Sequence, residues 1–77
     1  MYIVTYTDFG ETCDLHSRLL GVFENADAAA ESTTADMTAV ISHYGEETAK
    51  VDWTKREVWE SDEDVGKVGT VWNILET

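Results

Sequence analysis

Residues 25–45 read NADAAAESTTADMTAVISHYG, and the fold turns on this one stretch. Asn25 offers a side-chain oxygen to the unpaired amides of a helix that begins at Ala26. Asp27 and Glu31 follow near the positive end of the helix dipole, where carboxylates stabilise. At about 100° per residue, Ala26, Ala30, Thr33, Met37, Val40, Ile41 and Tyr44 fall on one stripe. Asp27, Glu31, Thr38 and Ser42 fall on the other side. Gly45 closes the element, as a C-terminal glycine should. Ser32, Thr33 and Thr34 are poor helix formers, which allows a break or bend there. The alanines near the start let such a helix lie close to a sheet.

Strands flank this helix on both sides. Residues 2–8 alternate with a period of two, Tyr2, Val4 and Tyr6 on one face and Ile3, Thr5 and Thr7 on the other. Residues 9–17 read as a polar connection turning at Gly10. Residues 18–24 give a second strand, antiparallel to the first, with Leu20 and Val22 opposite Leu19 and Phe23. Beyond the helix, residues 50–60 carry strand signals, with Val51 and Trp53 on one face and Val58 in the other phase. Thr54 and Lys55 therefore mark a bulge or a tight turn. Residues 61–69 read as an acidic loop punctuated by glycine, and residues 70–76 as a last strand.

The order strand, strand, helix, strand, strand implies one α+β domain over residues 1–77. Its expected form is an antiparallel sheet of about four strands with one helix packed on one face. One helix covers one side of such a sheet. Aromatic and aliphatic residues in both strand phases then leave apolar surface on the second side. A homodimer through that uncovered face, or through an edge strand, is one expected association. Core packing is the expected fate of at least two of the three tryptophans.

Charge is the strongest compositional signal. Sixteen Asp and Glu stand against five Lys and Arg, a formal net charge of -11 in 77 residues. Such a surface repels nucleic acid and anionic membranes and attracts basic protein surfaces. Three readings of the acidity stand open: solubility, adaptation to a salty cytoplasm, and recognition through carboxylates placed where a partner expects phosphates. The single Cys13 cannot close an internal disulfide, which fits a reducing compartment. No apolar run of signal-peptide or membrane-span length is present, so a cytoplasmic protein is expected.

Catalysis finds little support. Cys13, Asp14 and His16 cluster in the first connection, but a structural zinc needs four ligands and the other histidine, His43, lies on the helix. A polar surface loop accounts for the group. Asp8, Phe9 and Gly10 spell the metal-binding triplet of kinases without the rest of that apparatus. Asp62, Asp64 and Gly66 lack both the frame and the bidentate glutamate of a calcium loop. No catalytic residue, metal site or cofactor is expected, and the chain is expected not to be an enzyme.

The acidic side chains themselves remain. Glu57, Glu60, Asp62, Glu63 and Asp64 cluster on and after the third strand, with Glu46, Glu47 and Asp52 shortly before. In extended chain, Glu60, Asp62 and Asp64 would form a row about 7 Å apart. Asp27 and Glu31 make a second acidic face one helical turn apart. Trp53 and Trp59 are the expected aromatic anchors among them.

In size, acidity and layout the chain resembles the small bacteriophage proteins that disable host machinery, DNA-mimic inhibitors among them. That resemblance rests on whole-chain character, including the acids at Glu46, Glu47, Asp62, Glu63 and Asp64, and on no diagnostic motif. It implies a basic nucleic-acid-binding host protein as partner, such as a nucleoid protein or a restriction or CRISPR effector, and action in the host cytoplasm. The competing expectation is a small structural or regulatory interaction module, such as one of a salt-adapted organism, whose partner meets the sheet instead.

Overall fold

A computed structural model describes residues 1–10, 17–64 and 66–77. Cys13, Asp14 and His16 lie outside the described residues. The elements are β1 (Tyr2–Phe9), β2 (Ser17–Phe23), α1 (Ala26–Tyr44), β3 (Lys50–Asp52), β4 (Glu57–Asp62) and β5 (Gly66–Glu76). The strands form one antiparallel sheet in the order β2-β1-β5-β4-β3. β2 and β3 therefore run the same way at opposite edges, and α1 crosses between them over a single face. The class is α+β, as expected.

The helix keeps its anticipated bounds. Asn25 Oδ1 accepts the Ala28 amide at 2.8 Å, and Gly45, at φ 96°, donates its N–H to Ile41 O at 2.9 Å. No break occurs at residues 32–34, and two threonine hydroxyls bond back to carbonyls of the preceding turn. Thr33 Oγ1 donates to Ala30 O and Thr38 Oγ1 to Thr34 O, each at 2.8 Å. Ala29, Thr33 and Met37 are the buried helix positions, whereas Ala26 is exposed. The buried stripe thus enters the helix one turn later than the sequence pattern places it.

The sheet has five strands rather than about four. Residues 50–60 fold as a hairpin, not one strand: Asp52 Oδ1 accepts the Lys55 amide at 3.0 Å, and Arg56 takes φ 53° to close the turn. Val51 then pairs with Val58, and Trp53 lies in the turn. Most of the expected 61–69 loop is also strand, with Ser61 opposite Lys67 and Asp62 opposite Gly66. Gly69 is central here, paired with Phe9 on one side and Trp59 on the other. A Cβ on it would run into the Val58 carbonyl oxygen and come within 2.7 Å of the Trp59 Cα. Glycine depresses strand propensity in isolation, yet nothing larger fits between these two neighbours.

A register shift in β2 also departs from simple alternation. Val4 pairs with Gly21 but Thr5 with Leu19, so Leu20 is the extra residue of a bulge. Leu19 and Val22 consequently share one face, and Leu20 turns to the core.

Met37, Val58 and Trp72 form the buried cluster, with Tyr6, Leu20, Val40, Ile41, Tyr44, Ala49 and Val51 packed against it. Trp72 is 1% exposed, and its indole N–H donates to Asp36 Oδ2 at 2.7 Å. Only this tryptophan of the three is core. Trp59 is half-buried on the side away from the helix, and Trp53 is 54% exposed.

Replacing Asp36 by alanine leaves the buried indole donor unpaired, at a cost of about 1–3 kcal/mol. In urea denaturation, Asp36→Ala should lose stability on that scale. In the Asp36→Ala/Trp72→Phe double variant, the two losses should add to less than their sum.

Candidate functional site

The strand registers sort the charges. In β1, β4 and β5 the even-numbered residues face the helix, as Val4, Val58, Thr70 and Trp72 show by their burial. That phase of the strands carries Asp8, Glu60, Asp62 and Glu76, with Arg18 of β2 alongside Tyr6. The helix adds Asp27, Glu31 and Asp36, and residues 19–49 contain no lysine or arginine. On the opposite, open face the strands carry Asp52 and Glu57 against Lys50 and Lys67, so formal charge cancels there. Among the described residues the excess negative charge lies on the helix side and in the connections at Glu24, Glu46, Glu47, Glu63 and Asp64.

Within this layer the carboxylates gather at the two ends of α1. Asp27 and Glu31 are exposed at its start, beside exposed Glu24. At its other end, Asp8, His43, Tyr44 and Glu60 line a cavity of about 310 Å³. Glu46 and Glu47 follow in the turn after Gly45, and Asp62, Glu63 and Asp64 continue beyond Glu60, all exposed. The structure thus brings Glu60 together with Asp8 at the C-terminal end of the helix, with Glu46 and Glu47 following the helix in the chain, Asp62, Glu63 and Asp64 following Glu60, and Asp27 and Glu31 as a separate group at the helix start.

The expected row from Glu60 through Asp62 to Asp64 stops at Asp62. The strand ends there, and the Asp64 N–H turns back to Asp62 Oδ1 at 2.8 Å. Asp52 and Glu57 stand apart from the group. Asp52 holds the β3–β4 turn, and Glu57 forms an ion pair with Lys67 on the open face. Trp59 lies next to this pair, with Lys67 Nζ 4.2 Å from its ring centroid and 5.7 Å from that of Phe9. Of the two aromatic anchors anticipated, Trp53 is open to solvent, whereas Trp59 already holds a cation of its own chain.

Sequence reasoning passed over Asp8 and Asp36, because neither belongs to a run of acids. Both line a second cavity of about 240 Å³ between helix and sheet, with Tyr6, Leu20 and Val40. Their hydrogen bonds are structural: Asp8 Oδ1 accepts from Thr70 Oγ1 at 2.7 Å, and Asp36 accepts from Trp72. The only available signal was phase, since Asp8 continues the Val4 and Tyr6 face. Among the described residues no three His, Cys, Asp or Glu side chains are arranged to hold a metal ion, and no helix is long and apolar enough to cross a membrane.

Comparison with protein-family models, with curated proteins and with solved structures finds no match.

Glu46 and Glu47 sit where the helix dipole is negative and other carboxylates are near, so local electrostatics oppose them. Glu46→Lys and Glu47→Lys should each raise stability by about 0.5 kcal/mol at low ionic strength. Thermal unfolding of both variants in 0.5 M NaCl should return to within error of the parent, because these exposed charges are then screened.

Proposed function

We propose that this chain is a non-enzymatic binding protein that imitates the charge of nucleic acid. Its acidic helix side occupies the phosphate-binding surface of a basic nucleic-acid-binding protein, acting in the cytoplasm as phage-encoded DNA mimics do. The observation that carries this reading is the sorting of charge. Among the described residues one sheet face is formally neutral, whereas the helix and the helix-facing strand phase carry Asp8, Asp27, Glu31, Asp36, Glu60, Asp62 and Glu76 against Arg18. Acidity that served solubility alone would gain nothing from such sorting.

The physical match is with spacing and field rather than with base recognition. Glu60 and Asp62, two apart on one strand face, lie about 7 Å from each other, comparable to neighbouring phosphates. The two acidic groups are separated by most of the 19-residue helix, which at 1.5 Å per residue spans roughly 28 Å. A basic groove that follows DNA over several base pairs meets charge at a similar interval. Trp53, exposed in the β3–β4 turn, supplies an apolar contact at the rim. Carboxylates kept at the helix C-terminus at a stability cost are what a binding role would retain.

A second reading has its own observation. Leu19, Val22 and Leu75 are 63%, 50% and 54% exposed on the neutral face, as suits a protein–protein interaction module.

Affinity capture from a bacterial lysate tests the first reading. At 50 mM salt the immobilised chain should retain a basic nucleic-acid-binding protein, lose it steeply by 300 mM, and release it to duplex DNA. The quadruple variant Asp27→Lys/Glu31→Lys/Glu46→Lys/Glu47→Lys should weaken capture at least tenfold. Retention that is indifferent to salt and DNA, or unchanged in that variant, would overturn the reading.

A further inference from the structure

We infer that the open sheet face is the contact surface of a homodimer, in which a second copy seats its own open face against it. This inference is independent of nucleic-acid mimicry, since it concerns the opposite side of the molecule.

The registers place the open-face residues in rows across the strands. Val22, Ile3 and Leu75 form the first row, and Leu19, Thr5 and Asn73 the second. Ser17, Thr7, Val71, Glu57 and Asp52 form the third, and Phe9, Gly69, Trp59 and Lys50 the fourth. The first two rows gather the large exposed aliphatics Leu19, Val22 and Leu75 at one corner. Side chains of that size left in water, with Ile3 and Val71 beside them, mark a surface that gains from being covered.

Three features select a second copy as the cover. The first is charge. Two chains of -11 repel each other in almost every orientation, and the open face, with Lys50 and Lys67 against Asp52 and Glu57, is where that repulsion is least. Within it Lys67 is already neutralised by Glu57 and seated over Trp59, so burial strands no unpaired cation there. The second is size. The five strands hold 35 residues, and at about 3.3 Å per residue and 4.8 Å between strands the sheet has a flat area on the order of 550 Å². That is small beside the roughly 800 Å² per partner of a standard stable interface, so only a cover of matching outline, such as the same sheet, buries it whole. The third is shape. Two such sheets stacked about 10 Å apart make a sandwich with both helices outside, and an isologous two-fold contact closes without exposing a further sticky face.

The polar centre of the face is compatible with this. The Thr7 and Ser17 hydroxyls are paired with each other at 2.8 Å, which leaves Thr5 and Asn73 as the central polar side chains that the second copy has to satisfy. The resulting particle would carry an acidic helix layer on each outer side.

Sedimentation equilibrium from 5 to 500 µM in 0.5 M NaCl tests the proposal, under conditions that screen any attraction to a basic partner. The expected mass is twice the 8.6 kDa of one chain, with association weakening at 50 mM salt as the like charges are unscreened. Leu19→Asp/Leu75→Asp should weaken dimerisation at least a hundredfold with an unchanged circular dichroism spectrum, because both side chains are exposed in the monomer. Thr34→Glu, on the outer face of the helix, should leave it intact. A monomer at every concentration, or a dimer indifferent to the double variant and hence joined elsewhere, such as along β2, would overturn the proposal. Because DNA-competed capture is scored separately, either proposal can fail without the other.

Discussion

The pairing of the first strand with the last is the contact on which the rest of the structure depends. β1 and β5 run antiparallel through eight unbroken pairs, from Tyr2 with Glu76 to Phe9 with Gly69. The chain ends are tied as well, the Thr77 amide donating to Met1 O at 2.9 Å. This central pair gives β2 and β4 their docking edges and thereby sets the width of the sheet. It also sets parity: a slip of β1 by one residue against β5 would carry Val4 and Tyr6 out to solvent and bring Thr5 and Thr7 under the helix beside Trp72. Nearly every later feature follows from which side-chain phase this register turns inward.

Charge sorting is one such consequence. The strands contribute Asp8, Glu60, Asp62 and Glu76 to the helix side because they share phase with core residues. Lys67, Glu57 and Trp59 share the other phase and satisfy one another on the open face. A helix without lysine or arginine then completes a negative layer. The two faces accordingly differ in chemistry, one strongly acidic, the other formally neutral and partly aliphatic.

Much of the local structure was legible in the sequence. Asn25 and Gly45 bound the helix as their side-chain and backbone chemistry requires, and the α+β class follows from the order of elements. What escaped was tertiary. At residues 50–60 the phase change at Thr54 and Lys55 left a bulge or a tight turn open, and the structure takes the turn, closed by Asp52 and Arg56. Gly66, Lys67 and Gly69 look like loop residues until β4 pairs with all three and β1 with Gly69. The bulge at Leu20 depends on the neighbouring strand, so alternation within β2 could not reveal that Leu19 and Val22 share a face. For the acidic residues, proximity along the chain was readable but phase was not. That is why Glu57 and Asp52 were grouped with side chains from which the sheet separates them.

The central claim is that opposite sides of the sheet carry different electrostatic identities. Chemical-shift mapping of the isotope-labelled chain, titrated with a nona-arginine peptide, measures this directly. The account predicts perturbed amides around Asp27, Glu31, Glu46, Glu47, Glu60 and Asp62, with Thr5, Val71 and Asn73 unmoved. Perturbations spread equally over both faces, or centred on Thr5 and Asn73, would contradict it.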